Sequence, residues 1–388
     1  MFCMKKILYI LKSMAMIAGT ERVVSDKMNW LAEHGYDVTL ITYEQGCHPL
    51  AFPLHPNIKV YDIDTQFYKL RRFSLFIRYY KYQKMKTLFG RRLKAIINKN
   101  NPDIVITTAY SLKVADEIVR SCKPSRLILE SHETCFSVVK EYDYQSNPVM
   151  RMIARLYDLY YYKSINKFDV LVSLTKGDAN EWRKHVCSVI KVIPNPLTYY
   201  PVILEDKVDN SSYRIISAGR LEDVKGFDLL IDAFSLISNE CPDWHIDIFG
   251  QGSCEQKLIN QIFNKGLGKR IVINSPTADI YNEYRQSDIY VLSSRHEGMG
   301  MALIEAMSCG LACVAFDCKY GPAEILSNMK TGLLVEDGDI MKLAKALLWT
   351  IQHPEVRKQM GNAARESANR YRKDVIMQHW VDLFNQLC

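Results

Sequence analysis

Two carboxylates and two cations carry most of the chemistry this chain offers. Glu297 and Glu305 stand eight positions apart in SSRHEGMGMALIEAMSCG, with Gly298, Met299, Gly300 and Met301 between them. The polar loop holding Glu297 runs into a helix-forming stretch. A ligand there would meet a carboxylate, glycine-opened backbone N–H groups and a helix N-terminus, which suits a phosphate joined to a group rich in hydroxyls. Arg220 and Lys225 flank a second strand-to-helix turn, Gly219-Arg220 and Lys225-Gly226. They can converge on a diphosphate, Arg220 as a bidentate fork and Lys225 as a mobile point charge. His132 follows an apolar strand in Ser131-His132-Glu133, at the strand end where open α/β sheets bind ligands. Each feature also has a plainer reading: an ordinary strand–helix–strand unit with a solvated Glu297, and a loop histidine bonded to backbone.

These residues need strands to hold them, and apolar runs supply candidates. Lys6 to Leu11, Asp37 to Thr42, Asp103 to Thr107, Leu127 to Glu130 and Asp169 to Leu174 read as strands in the first half. Tyr213 to Ala218, His245 to Phe249, Ile271 to Ile273, Ile289 to Leu292 and Leu311 to Phe316 do so in the second. Amphipathic stretches alternate with them, including one to about His34 and a Tyr-rich one from Arg151 to Phe168, so the chain reads as α/β with parallel sheets. Leu197 to Ser212 holds Pro201, a charge cluster and Asn-Ser-Ser, a linker composition.

At Glu297-x7-Glu305 the sequence resembles the retaining family 4 glycosyltransferases, which use nucleotide-sugar donors. Further motifs match along nearly the whole chain. Ala18-Gly19-Thr20-Glu21-Arg22 is similar to the family's Gly-Gly-x-Glu-Arg, with Ala18 in place of the first glycine and Gly19 left to approach the donor phosphate. His132 matches a histidine that contacts the donor sugar. VIPNPL, Val192 to Leu197, resembles the family's strand end Pro-Asn-Gly and keeps Asn195. Arg220 and Lys225 match the diphosphate-binding pair, and Asn274 to Asp279 the segment that holds the base. The resemblance implies the GT-B fold: two Rossmann-like domains facing each other across a cleft, with a C-terminal helix packing back on the first. The expected boundaries are 1–197 for an acceptor-binding domain, 212–370 for a nucleotide-sugar-binding domain and 371–388 for the returning helix.

Composition sets bounds. A chain of 388 residues that is 48% hydrophobic can fill two cores. Eleven cysteines without a C-x-x-C pair read as reduced, mostly buried thiols of a cytoplasmic protein. The start, MFCMKKILYILKSMAMIAG, imitates a leader, but Lys12 and Ser13 interrupt its apolar run and it is read as a first strand. No run approaches the ~18 apolar residues of a membrane span. Net charge is +7, yet Lys69 to Lys99 alone carries eleven Lys or Arg and no Asp or Glu, so the remainder is acidic. Aromatics are interleaved there. Three readings stay open: a solvated helix face, a surface for anionic lipid or a lipid-linked diphosphate, and nucleic acid, for which no motif accompanies the charge. Asp62-Ile63-Asp64 and Asp337-Gly338-Asp339 are read as strand and helix-cap residues, so no metal cofactor is expected.

The expected activity is transfer of a hexose or N-acetylhexosamine, with retention, from a UDP-sugar to a glycan or polyprenyl-linked acceptor. Arg220, Lys225 and the amides of Gly298 to Met301 would stabilise the leaving diphosphate. Glu305 would take the ribose hydroxyls and Glu297 a sugar hydroxyl. The resemblance implies front-face attack, with a donor phosphate oxygen accepting the proton. A sugar epimerase or phosphorylase on the same fold, or a non-catalytic nucleotide-sugar-binding partner, are the alternatives.

Overall fold

The computed structural model describes residues 5–16, 18–135, 148–201, 213–277 and 279–388. The expected linker from residue 202 to 212, residue 278 of the expected base-binding segment, and the first four residues of the leader-like start lie outside them. The chain divides into two compact units, Met1–Pro194 with Met377–Cys388, and Asn195–Ile376.

The first unit is built on seven parallel strands: β1 (Lys6–Leu11), β2 (Asp37–Thr42), β3 (Lys59–Asp62), β4 (Ile104–Thr108), β5 (Arg126–Ser131), β6 (Val170–Ser173) and β7 (Val189–Val192). Their order is β3-β2-β1-β4-β5-β6-β7. Central strands are buried on both faces, which is why they read as continuous apolar runs. The helix Gly19–Glu33 lays Val23, Val24, Met28 and Leu31 into the core. Most of the basic stretch forms the helix Leu75–Asn100, held by Phe89, Leu93 and Ile97, after a 3₁₀ turn, Phe67–Arg72. The Tyr-rich helix runs Pro148–Ile165, three residues earlier than expected, because Lys167 and Phe168 turn back to the carbonyls of Ser164 and Ile165.

The second unit holds six parallel strands: β8 (Tyr213–Ala218), β9 (Trp244–Phe249), β10 (Ile271–Asn274), β11 (Ile289–Leu292), β12 (Ala312–Phe316) and β13 (Gly332–Val335), in the order β10-β9-β8-β11-β12-β13. Ile289 of β11 pairs with Ile215 of β8 on one side and Ala312 of β12 on the other. Strand order reverses between β1 and β4 in the first sheet and between β8 and β11 in the second. Such switch points open crevices at the carboxyl ends of the strands.

At the second crevice the backbone is packed to its limit. Gly226 has φ +61°, and a Cβ there would lie 2.0 Å from the carbonyl oxygen of Ser293, just past β11. A Cβ on Gly250, just past β9, would lie 2.0 Å from the carbonyl oxygen of Gly219, just past β8. Glycine is therefore required at 226 by both conformation and space. Gly226→Ala is expected to lower the unfolding free energy by about 1–3 kcal/mol, the scale of such backbone strain. Urea titration reads the change, and an unaltered midpoint would contradict the close approach.

Candidate functional site

The turn after β8 and the loop after β11 build one cluster in the second unit. Lys225 ends a short 3₁₀ turn, Asp223–Lys225, and its methylenes lie over Gly219, where a Cβ would be 3.5 Å from Cδ and Cε. Its Nζ pairs with Glu297 Oε1 at 2.7 Å, and Ser294 Oγ donates to the same oxygen at 2.6 Å. Ser293 Oγ donates to the Lys225 carbonyl. Arg295 N donates to the Val224 carbonyl, and its guanidinium forks onto Asp228 at 2.8 and 2.7 Å. Glu297 N donates to Lys319 O, and Tyr320 N returns a bond to Glu297 O. The carboxylate is thus fixed from both its side chain and its backbone.

The other residues singled out from sequence take varied places. Arg220 is exposed on the turn after β8. Gly300, at φ +92°, caps the helix Met301–Ser308, whose first N–H groups have no acceptor in the helix itself. Met299 is buried and its Sδ accepts the Asn195 amide at 3.3 Å, so its side chain serves packing. Gly298 and Met301 are half-buried on either side of that cap. Glu305 is half-buried in the helix, near Tyr284 and Tyr290. Burial first, and then nearby carboxylates, push both tyrosine hydroxyls upward: Glu305 for Tyr284, Glu297 and Glu305 for Tyr290.

In the first unit His132 follows β5 and its Nε2 lies 2.9 Å from Glu130 Oε2. Lys27, from the helix Gly19–Glu33, reaches the same oxygen at 2.6 Å. The three side chains are 2%, 3% and 1% exposed. Lys27 Nζ also sits 4.0 Å from the ring centroid of Trp380. Lys27 and Glu130 escaped the sequence reading. One signal was present: Lys27 shares the helical stripe of Val23, Val24, Met28 and Leu31, where a solvated lysine does not belong. Gly19 opens that helix, and a Cβ there would meet nothing within 4 Å, so neither strain nor internal packing demands glycine.

The helix Leu75–Asn100 does not present all its cations outward. Lys86 pairs with Glu117 at 3.0 Å, and Arg92 donates to the carbonyls of Ile63 and Asp64. Lys84, Arg91 and Lys94 are exposed along one side. No helix among the described residues is long and apolar enough to cross a membrane. Asp339 caps the helix Ile340–Gln352 through Lys342 N at 2.9 Å, while Asp62 accepts from Thr42 Oγ1.

Burial works to raise the Glu130 carboxyl, but Lys27 and His132 outweigh it and hold the group at about 2, against an ordinary 4.5. Between those values the unfolded chain holds a proton that the folded chain lacks. This contribution to stability is complete above about pH 4.5 and is lost as pH falls toward 2. Wild type should therefore exceed Glu130→Gln in unfolding free energy at pH 6, with the gap narrowing below pH 4.5. Urea unfolding at stepped pH checks this, and a gap independent of pH would refute it.

Comparison with known proteins points to one family. The family profile described as Glycosyltransferase Family 4 matches residues 17–198, and that described as Glycosyl transferases group 1 matches residues 205–367. An "Uncharacterized glycosyltransferase" of Haemophilus influenzae is 27% identical over 380 residues, covering 97% of this chain and 99% of its own. The amylovoran biosynthesis glycosyltransferase AmsD of Erwinia amylovora is 27% identical over 391 residues, covering 98% and 100%. The Staphylococcus aureus TarM structure in complex with fondaparinux, α-GlcNAc-glycerol and UDP superposes with TM-score 0.75 at 15% identity, over 98% of this chain and 100% of that one. Two successive profiles, full-length relatives and a shared two-sheet fold converge on one conclusion: the chain belongs to the family 4 glycosyltransferases, with the GT-B fold.

Proposed function

We propose that the protein transfers a hexose or N-acetylhexosamine, with retention, from UDP to a glycan or polyprenyl-linked acceptor in the assembly of a bacterial surface polysaccharide. The observation that carries this reading is the Lys225–Glu297 pair at the β8/β11 switch point. It sets a cation and a hydroxyl-binding carboxylate 2.7 Å apart above a glycine-opened turn. The donor's diphosphate lies on Arg220, Lys225 and the amides of Gly298 to Met301. Glu297 takes a sugar hydroxyl and Glu305 the ribose. Charge on the leaving diphosphate is met by groups already fixed in place, so the reaction needs no divalent metal. The acceptor hydroxyl attacks the anomeric carbon as the bond to the diphosphate breaks, and its proton passes to a donor phosphate oxygen. The UDP in the TarM complex and the polysaccharide named for AmsD support the choice of nucleotide and acceptor class.

Lys225→Ala removes a charge-assisted phosphate contact worth about 1.5–3 kcal/mol. UDP affinity by calorimetry and transfer from UDP-sugars should both fall about ten- to a hundredfold or more. Wild-type values in the variant would sink the assignment.

We also propose that the first unit rests on an anionic membrane, its cytoplasmic face, through the helix Leu75–Asn100. Met152, Leu156 and Leu159 are exposed at spacings of four and three on the helix Pro148–Ile165 and give an apolar stripe for the same surface. Both helices are tied to the helix Ala115–Cys122, by Lys86–Glu117 and by Tyr160–Asp116. Each exposed Lys or Arg contributes about 1 kcal/mol near such a surface. Changing Lys84, Arg91 and Lys94 together to Glu should abolish co-sedimentation with anionic liposomes at low salt. Unchanged binding, or equal binding to neutral vesicles, would refute the membrane role.

A further inference from the structure

A cavity of about 420 Å³ opens at the carboxyl ends of β1, β2, β4 and β5 in the first unit, beside His132. That volume falls in the ~300–1,000 Å³ range of small-molecule sites. Its walls are aromatic and fixed. Tyr43 and Phe67 meet edge to face with centroids 6.3 Å apart, and Phe67 lies 5.6 Å from Tyr82. The tyrosine hydroxyls are anchored outside the ring stack: Tyr43 to Ser111 Oγ, Tyr82 to the Lys113 carbonyl at 2.6 Å, and Tyr110 to Glu133 Oε1 at 2.8 Å. Rings held in this way offer flat faces at little cost in side-chain freedom.

The rim is charged. Lys12, Arg78 and Lys113 line the cavity with two carboxylates, Glu44 and Glu133. Both carboxylates are engaged within the fold. Glu44 takes the Tyr68 amide at 3.0 Å and Lys12 at 3.4 Å, and Glu133 takes Tyr110. Lys12 is thereby tied to Glu44, and the rim holds three cations to two anions. Arg78 is exposed at the mouth, on the first turn of the helix Leu75–Asn100, and Tyr68 beside it is half exposed. Ring faces for a pyranose, carboxylates for its hydroxyls and a guanidinium for a dianion describe one ligand class.

We propose that this cavity seats the sugar that accepts the transferred residue, and that this sugar carries a phosphate held by Arg78. The proposal rests on the reading of the first unit as the acceptor side of a glycosyltransferase, and it adds the acceptor's anionic chemistry and the side chains that select it. The pyranose packs on Tyr68 and Tyr110, with a hydroxyl toward Glu133 and His132. The phosphate belongs either to the anomeric carbon, as in a lipid-carrier diphosphate, or to the body of a phosphorylated glycan.

The test uses the whole protein and four probes: glucose 1-phosphate, glucose 6-phosphate, glucose and inorganic phosphate, with dissociation constants from ligand-observed NMR. Both sugar phosphates, or one of them, should bind at least tenfold more tightly than glucose or inorganic phosphate. Preference for the 1-phosphate assigns a lipid-carrier diphosphate, and preference for the 6-phosphate a phosphorylated glycan. Arg78→Gln should weaken the better probe about tenfold and Tyr68→Ala several-fold, with thermal unfolding unchanged in both exposed-site variants. Lys225→Ala, in the other unit, should leave that affinity unchanged. Equal affinity for inorganic phosphate and both sugar phosphates, undetectable sugar-phosphate binding, or wild-type affinity in Arg78→Gln would overturn the proposal. Loss in Lys225→Ala with retention in Arg78→Gln would place the probe in the second unit, overturning the cavity while leaving the donor assignment intact. A failed donor assignment shows separately, as absent UDP binding with sugar-phosphate binding retained.

Discussion

The second unit depends on a backbone contact with no room for a side chain. Because residue 226 is glycine, the carbonyl of Ser293 can approach the turn that carries Lys225. Ser293 Oγ and Arg295 N then bond that same turn, and Arg295 ties it to the helix behind. Lys225 and Glu297, 72 residues apart in sequence, become neighbours as a consequence. With Glu297 buried and Lys225 only 22% exposed, the cost of taking both charges out of water offsets much of their attraction, so the pair is weak evidence for stability. Its importance is placement. The methylenes lie over Gly219 and the ammonium on Glu297 before any ligand arrives, so the entropy of fixing a long side chain is met in folding rather than in binding.

The first unit relies on the opposite economy, a fully buried charge cluster. Removing an ion from water costs several kcal/mol even after relaxation, and one partner rarely offsets it. Here a single oxygen of Glu130 serves both Lys27 and His132, while the Lys27 ammonium lies over the Trp380 ring. Trp380 belongs to Met377–Cys388, the stretch that the chain returns to this unit. The orientation of His132 is thereby coupled to the docking of the chain's last dozen residues through two side chains, neither of which is itself exposed to a ligand.

Strands and motif positions were legible in the sequence where burial is symmetrical. β1, β2, β8 and β11 have the expected limits, and the central residues of each are buried on both faces. β3, β7 and β13 went unread. Each is the last strand at a sheet edge, and Lys59-Val60-Tyr61-Asp62 is mostly exposed, so neither alternation nor an apolar run marks it. Glu297, the two cations and His132 were legible as residue types just past strand ends, and Glu305 as one inside the following helix. Their pairings were not, since sequence spacing carries no information about which loops meet. Lys27 shows the limit from the other side: charge suggested solvent, and only its place on the apolar stripe argued for burial.

The basic segment shows why a charge sum is a weak guide to function. Eleven cations in 31 residues read as one electrostatic feature, but the fold divides them among different surroundings. Arg92 satisfies two backbone carbonyls, Lys86 neutralises Glu117, and Lys81 lies 3.8 Å from the Phe73 ring centroid. These charges are short-range, meeting their partners within a few ångströms, where ionic strength hardly reaches them. Lys84, Arg91 and Lys94 face solvent, where any field they project is screened within about 10 Å at 0.1 M salt. Arg78 stands apart from both groups, on a cavity rim whose low-dielectric aromatic walls strengthen a single cation more than open water would. Salt therefore separates the three populations: it erodes the outer face first, the rim less, and the internal bonds scarcely at all.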